Sequence, residues 1–375
     1  MNNKVQELRS YMEEKNIELS LILNSENQYY ISKFKAIIYS RPIILGITLN
    51  NTFLIVPQLE EKHAKTSSNI DDIYVYYEKP KKDSSMFNYK DHLENILSNL
   101  SKNLKIGIES NQMSVNLYNY LKTKNYETVD ISNKVKKMRF IKDDKEIESI
   151  KKSGELVSLA VKESLKNVKV GVTEMELDNY GNKRVFEEIS LNYPDSTLDL
   201  FSMSPSGVER TNMPHVFSNT RKLKNKDIVI HSRQVGLNGY RAECERTFFV
   251  GEPTKKQKEI FKVMTEAQQA AMDIIEPGIS AKEVDWSARN IIKEANLEKY
   301  FIHRTGHGIG IGTHEEPYLR FDSDLTIKEN MVFSIEPGIY VPEIGGFRHS
   351  DTIIVTENGN EKITNYPNEL NDLIF

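Results

Sequence analysis

Glu243 and Glu245 stand two residues apart in GYRAECERTFF, a stretch that alternates like a strand and closes on Arg246, Thr247 and apolar residues. Side chains two apart on a strand share a face, so the two carboxylates either hold one cation together or line one pocket. Further on, HRTGHGIGIGTHEEP gathers His303, His307 and His314 in a glycine-rich run. Glycine lets the backbone turn tightly and approach a ligand closely, and histidine supplies a metal ligand or a proton carrier near neutral pH. SIEPGIY adds Glu336, IVIHSRQ adds Ser232, and GGFRHSD adds Arg348 and Ser350. These residue types suit a pocket that holds a cation or moves protons.

The elements that must position them divide in two. The first part opens with an amphipathic helix, MNNKVQELRSYMEEKN. It continues with the strands LSLILN, IYVYY and LKIGIE, a hairpin ILGITLNNTFLIVP turning at Asn50 and Asn51, and a helix over MSVNLYNYLKTK. Strands alternating with helices predict an α/β domain, which we place at residues 1–135. From Lys142 a long amphipathic helix begins the second domain, residues 136–375. A second helix follows, with Thr173 as N-cap and Glu176 three residues on, and further helices are predicted at about 255–275 and 281–296. The strands DIVIHS, YRAECERTFFV, MVFSIEPGIYV and FRHSDTIIV carry nearly all the unusual residues. The second half is therefore predicted to be α+β, with one sheet face rich in His, Glu and Arg.

Bulk properties exclude several classes. A chain of 375 residues suggests two domains. Acids and bases nearly balance at a net charge of -4, with no basic stripe for nucleic acid. The one cysteine, Cys244, rules out a disulfide framework within the chain. No apolar run reaches the length of a membrane span or a signal peptide, so a cytoplasmic protein is expected.

GHGIGIGTHEEP followed by FSIEPGIYVPEIGGFRHSDTIIVTENG, with GY and RT ahead of FFVGEP, resembles the creatinase, prolidase and methionine aminopeptidase superfamily. NSENQYYISKFKAIIYSRP resembles the N-terminal domain of its creatinase and prolidase branch, so the resemblance covers most of the chain. It implies an α+β pita-bread C-terminal domain, two pseudo-symmetric halves around a curved antiparallel sheet. It also implies a smaller α/β N-terminal domain that helps form a homodimer and contributes to the neighbouring active site. Peptidases of the superfamily hold two divalent metals with two Asp, one His and two Glu. The resemblance maps those positions onto Ser232, Glu243, His307, Glu336 and Ser350. Two match, one is lengthened and two are serine, which leaves too few carboxylates for two metal ions. A single ion on Glu243, His307 and Glu336 stays chemically open; the expectation is no cofactor.

The metal-free creatinase branch shares Glu245 before Arg246-Thr247, Glu336 before Pro337, His215 six residues before Arg221-Lys222, and Arg41 before Pro42. By that resemblance Glu245 and Glu336 would grip an amidinium or guanidinium group, and His215 would activate water and protonate the leaving nitrogen. His307 and His314 would orient the reactants. Arg41 would clamp a substrate carboxylate, and Tyr240, Glu243, Ser232, Arg348 and Ser350 would complete the substrate-binding wall. Departures from that branch are Glu243 in place of a small neutral residue, the FRHSD order, and Tyr318 where an arginine is expected, with Arg320 offset by two.

Three readings follow. The favoured one is a metal-independent hydrolase of a C–N bond in a small guanidino or amidine acid, creatine-like or ectoine-like. The second is an Xaa-Pro dipeptidase with an altered metal site. The third is a pita-bread cleft that binds a peptide or protein without turnover. For the favoured reading the partner is a small-molecule substrate, with no role for nucleic acid or membrane.

Overall fold

The computed structural model describes residues 3–78, 87–101 and 105–375; Met1, Asn2 and Leu104, which open two of the predicted elements, lie outside them. The chain divides into one unit ending at Arg139 and another beginning at Phe140.

In the first unit, strands β1 (Leu19–Ile22), β2 (Ile44–Thr48), β3 (Thr52–Pro57), β4 (Asp72–Tyr76), β5 (Lys105–Ile108) and β6 (Glu127–Asp130) form one mixed sheet in the order β4-β3-β2-β1-β5-β6. The antiparallel pair β2 and β3 turns across Leu49 and Asn50, one residue earlier than expected, with the Thr48 N–H donating to the Asn51 carbonyl at 2.9 Å. Leu19, Ile44, Phe53, Ile106 and Leu121 fill the core.

The second unit carries helices Asp144–Lys166, Glu174–Asn192, Lys255–Asp273 and Ala281–Glu294. Each starts on a reciprocal cap: Asp143 with Glu146, Thr173 with Glu176, Thr254 with Gln257, and Ser280 with Glu283. Such a box satisfies two amide groups that the first turn leaves without partners. The strands are β7 (Leu198–Met203), β8 (Ile228–Leu237), β9 (Tyr240–Phe249), β10 (Gly306–Gly308), β11 (Glu315–Leu319), β12 (Val332–Ile335), β13 (Gly338–Val341), β14 (Gly345–Arg348), β15 (Ser350–Thr356) and β16 (Gly359–Lys362). The sheet runs β11-β10-β12-β15-β9-β8-β7, with β16 on β15, while β13 and β14 pair separately. Among the described residues no helix is long and apolar enough to cross a membrane.

Two predicted strands prove to be four. MVFSIEPGIYV breaks between Ile335 and Gly338, because Pro337 has no N–H to give a ladder and the Glu336 N–H turns to the Thr305 carbonyl at 2.7 Å. FRHSDTIIV breaks at His349, where the Thr247 hydroxyl accepts from the Arg348 N–H and donates to its carbonyl, at 2.8 and 2.9 Å. Glu336 and Arg348 thus sit where the chain changes sheets.

The GHG spacing has a packing cause. A Cβ on Gly306 would lie 2.2 Å from the Ser334 carbonyl oxygen, and one on Gly308 would lie 2.7 Å from the Glu316 carbonyl oxygen. Both obstacles are backbone, so neither side chain has room while His307 projects from the other face. Gly306→Ala should destabilise the protein by about 1–3 kcal/mol through overpacking, read as a lowered denaturation midpoint in urea; an unchanged midpoint would contradict this close approach.

Candidate active site

Strand β9 delivers Glu243 and Glu245 to one buried face and Cys244 to the other. Glu243 Oε1 accepts from the Ser350 and Ser334 hydroxyls at 2.6 and 2.7 Å, and Oε2 accepts from Gln234 Nε2 at 2.5 Å. Burial works against its charge, yet His307 and these donors hold it below the usual carboxylate range. Cys244 faces the core, where burial pushes its thiol up to about 12, so it is no nucleophile at neutral pH.

Glu245 is engaged by the chain itself. Arg348 Nε and Nη2 donate to its two oxygens at 2.5 and 2.8 Å, and Arg348 Nη1 donates to the Tyr340 hydroxyl at 3.0 Å. Burial opposes the Arg348 charge, but Glu245 and Tyr340 keep it protonated. The expectation that Glu245 grips a substrate cation is therefore corrected: a buried arginine already takes both oxygens in the paired geometry that guanidinium and carboxylate favour. Arg348 is by the same contacts a partner of Glu245 rather than a free substrate-binding group.

Glu336 differs from both. Among the described residues no donor hydrogen-bonds its carboxyl group; Oε1 stands 3.4 Å from His307 Nε2 and Oε2 stands 3.8 Å from Arg348 Nε. Burial, and then repulsion by Glu243, push it up to about 8. His307 Nδ1 lies 2.9 Å from the Gly308 carbonyl, which can only accept, so Nδ1 carries the proton and Nε2 keeps its lone pair. Among the described residues that buried Nε2 has no hydrogen-bond partner. His314 stacks on His307 with ring centroids 3.9 Å apart; lost hydration and then His307 push it down to about 4. His215, on the segment after helix Val208–Thr211, lines the same cavity, lowered by partial burial and then by Arg348.

The cavity, of about 390 Å³, brings together Ser232, Glu243, His215, His314, Glu336 and Arg348. One predicted site residue points away from the cavity. Tyr240 shares the parity of Cys244, so the alternation that gathers the two glutamates turns it away; its hydroxyl donates to Glu146 at 2.6 Å. Arg41 belongs to the first unit, where it pairs with Glu78 at 2.5 Å. Gln234, Ser334 and Arg304 also belong to the site; they stand within IVIHSRQ, SIEPGIY and HRTGHGIGIGTHEEP, but neither type nor spacing singles them out there.

Comparison with known proteins fits this architecture. Residues 148–357 match the metallopeptidase family M24, and residues 4–141 match the creatinase/prolidase N-terminal domain. The chain belongs to metallopeptidase family M24. It is 34% identical to an Xaa-Pro dipeptidase of Pyrococcus horikoshii over 99% of both chains, and 31% identical to one of Pyrococcus furiosus over 99% of this chain and 100% of that one. The crystal structure of the prolidase from Pyrococcus horikoshii superposes with a TM-score of 0.86 at 33% identity, covering 98% of this chain and 100% of that one. An Xaa-Pro dipeptidase from Bacillus anthracis gives 0.85 at 29% identity, covering 100% of this chain and 99% of that one. These full-length relatives overturn the favoured reading of a metal-independent, creatine-like or ectoine-like amidine hydrolase, and the Arg348 pair removes the cation grip on which it depended.

The family implies metal, and the donor set can be tested against it. Glu243, His307 and His314 each bring one ligand atom within 4.8 Å of the others, and the lone pair on His307 Nε2 is unspent. A metal-binding histidine normally anchors its other nitrogen to a carbonyl or carboxylate, as His307 does. One divalent ion fits these residues, with Glu336 beside them. Two do not fit, because Ser350 spends its hydroxyl on Glu243, Ser232 is neutral, and the Arg348 charge already stands next to Glu336.

Titration with zinc or manganese, read by elemental analysis, should therefore saturate at about one ion per chain, and Glu243→Gln should lose most of it; two tightly held ions would refute this donor count. In chelated protein, folded Glu336 keeps its proton up to about pH 8, while an unfolded glutamate releases it near 4.5. The folded state thus holds the extra proton in that window, so this group lowers stability as pH rises through it, levelling above about 8. Glu336→Gln should flatten that slope in urea unfolding; an unaltered slope would assign it to other groups.

Proposed function

We propose that this chain hydrolyses the C–N bond of small peptides, with Xaa-Pro dipeptides as the first substrates to test. The observation that carries the reading is the convergence of Glu243, His307, His314 and Glu336 on one cavity, in a chain similar along its whole length to named Xaa-Pro dipeptidases. Glu243, His307 and His314 would hold one divalent ion. Such an ion polarises a carbonyl and makes water a stronger nucleophile at neutral pH.

The chain's own groups do the rest. Glu336, whose carboxyl group no donor among the described residues occupies, would be held ionised by the charge of such an ion and would receive the proton as water adds to the scissile carbon. His215, which lines the same cavity, would hydrogen-bond the departing nitrogen, which takes up the proton from Glu336 as the C–N bond breaks. Phe201, Met203, Val216 and Phe217 form an apolar wall beside these polar groups, suited to a pyrrolidine ring or an aliphatic side chain. Ser232 and Ser350 favour a second reading, in which the cavity binds such peptides without cleaving them.

Proline release from glycyl-proline and leucyl-proline by metal-loaded protein separates the two. Turnover that chelation abolishes, and that Glu336→Gln lowers by about 10²- to 10⁴-fold, is the expected result. Metal-loaded protein that binds these dipeptides yet releases no proline would leave the binding reading in place.

A further inference from the structure

His215, Val216 and Phe217 reach the cavity on a stretch, residues 212–227, that belongs to no helix or strand. Without a backbone ladder, such a segment depends on side chains for its place. Two of them come from helix Glu174–Asn192. Glu174 and Asp178 stand one turn apart on the same face, and both are buried. Glu174 Oε1 accepts from the Ser206 N–H and hydroxyl at 2.8 and 2.6 Å and from Arg210 Nε at 3.0 Å, while Oε2 accepts from Arg210 Nη2 at 2.8 Å and from the Asn219 N–H at 3.0 Å. Arg210 Nη2 also donates to the Phe217 carbonyl at 2.7 Å. The helix start adds two more bonds: the Glu174 and Met175 N–H groups, which have no partner inside the first turn, donate to the Arg221 and Asn219 carbonyls at 3.0 and 3.3 Å.

Asp178 holds the same segment one turn further along. Its Oδ1 accepts from the Ser204 hydroxyl at 2.6 Å, the Ser218 hydroxyl also hydrogen-bonds the carboxylate, and the Ser218 oxygen accepts from the Ser204 N–H at 2.7 Å. Behind Ser204 the donors run in one direction. Arg233 Nε donates to His231 Nε2 at 3.0 Å, so His231 Nδ1 carries the proton and donates to the Ser204 oxygen at 2.7 Å, whose own hydrogen goes to Asp178. Burial pushes the Asp178 carboxyl up, and Ser204, Ser218 and Arg233 draw it back. Among the described residues Asp178, Ser204 and His231 form no part of the cavity wall. Their influence on the cavity therefore passes through the segment.

We infer that Asp178, together with Glu174, is a positioning residue: the pair fixes the segment that carries His215, Val216 and Phe217 to the cavity. The effect on turnover rests on the peptidase reading; the effect on the segment does not. Misplacing a reacting group by about 1 Å can cost about 10²-fold in rate. A carboxylate that never touches substrate thus governs how well His215 meets the departing nitrogen.

A nitroxide on Met213→Cys reads the segment directly, with a label on Glu259→Cys of helix Lys255–Asp273 as reference; the chain's own Cys244 is buried. Asp178→Ala should sharpen the spectrum of the label on the segment and leave the reference unchanged. Asp178→Asn, which still accepts from both serines, should restore most of the wild-type spectrum. Ser218→Ala removes only the tether, should act in the same direction, and replaces Asp178→Ala should that variant not fold. An unchanged segment spectrum, or equal sharpening at both labels, would overturn the assignment. In unlabelled, metal-loaded protein Asp178→Ala should lower kcat for glycyl-proline by roughly 10- to 100-fold. His215→Ala should then cost much less in that background than in the wild type, because the two changes remove one interaction; equal losses in both backgrounds would refute action through His215. A wild type without turnover would bring down the peptidase reading alone, and the spectra would decide whether the pair fixes the segment.

Discussion

Charge buried on one face of the sheet is the constraint on which the site depends. Glu243, Glu245, Glu336 and Arg348 are all nearly removed from solvent, and an uncompensated buried charge costs several kcal/mol. Each is met differently. Glu245 has Arg348, Glu243 has three hydrogen-bond donors, and Glu336 has none among the described residues and, in the ion-free site, keeps its proton instead. The breaks at Pro337 and His349 put Glu336 and Arg348 beside strand ends, and from there Arg348 reaches Glu245.

Strand register connects this pairing to the serines. Glu245 lies opposite Ser232 on β8 and opposite Ser350 on β15, so the three occupy one row across adjacent strands. Cross-strand neighbours are about 5 Å apart, and like charges placed there destabilise the sheet. Carboxylates at positions 232 and 350 would both press on Glu245, which Arg348 alone neutralises. Two hydroxyls flanking one paired glutamate are therefore one consistent arrangement.

Much of this was legible in the sequence, and the remainder had identifiable reasons to be hidden. Period-two alternation places Glu243 and Glu245 together and Cys244 opposite, and the same rule, applied to Tyr240, would have removed that residue from the site. Capping signals locate the helices, as at Thr173 and Glu176. The partner of Glu245 stands 103 positions away, and no local pattern reports a contact over that distance. Gln234 and Ser334 matter only through the register that aims them at Glu243. The choice between amidine and peptide chemistry turned on Glu245, whose role depends wholly on whether Arg348 reaches it.

Formal charge ties the metal count to the Arg348 pairing. A divalent cation beside Glu336 favours its ionised form; with Glu336 so ionised, the three glutamates and Arg348 leave the site two charges negative, the imidazoles being neutral at pH 7 because burial lowers them. One divalent ion brings that to zero, and a second would leave an excess that nothing nearby offsets. The number of ions is thus set by the same pairing that settles Glu245: with serines at positions 232 and 350 and Arg348 held over Glu245, the site stays neutral with one metal ion.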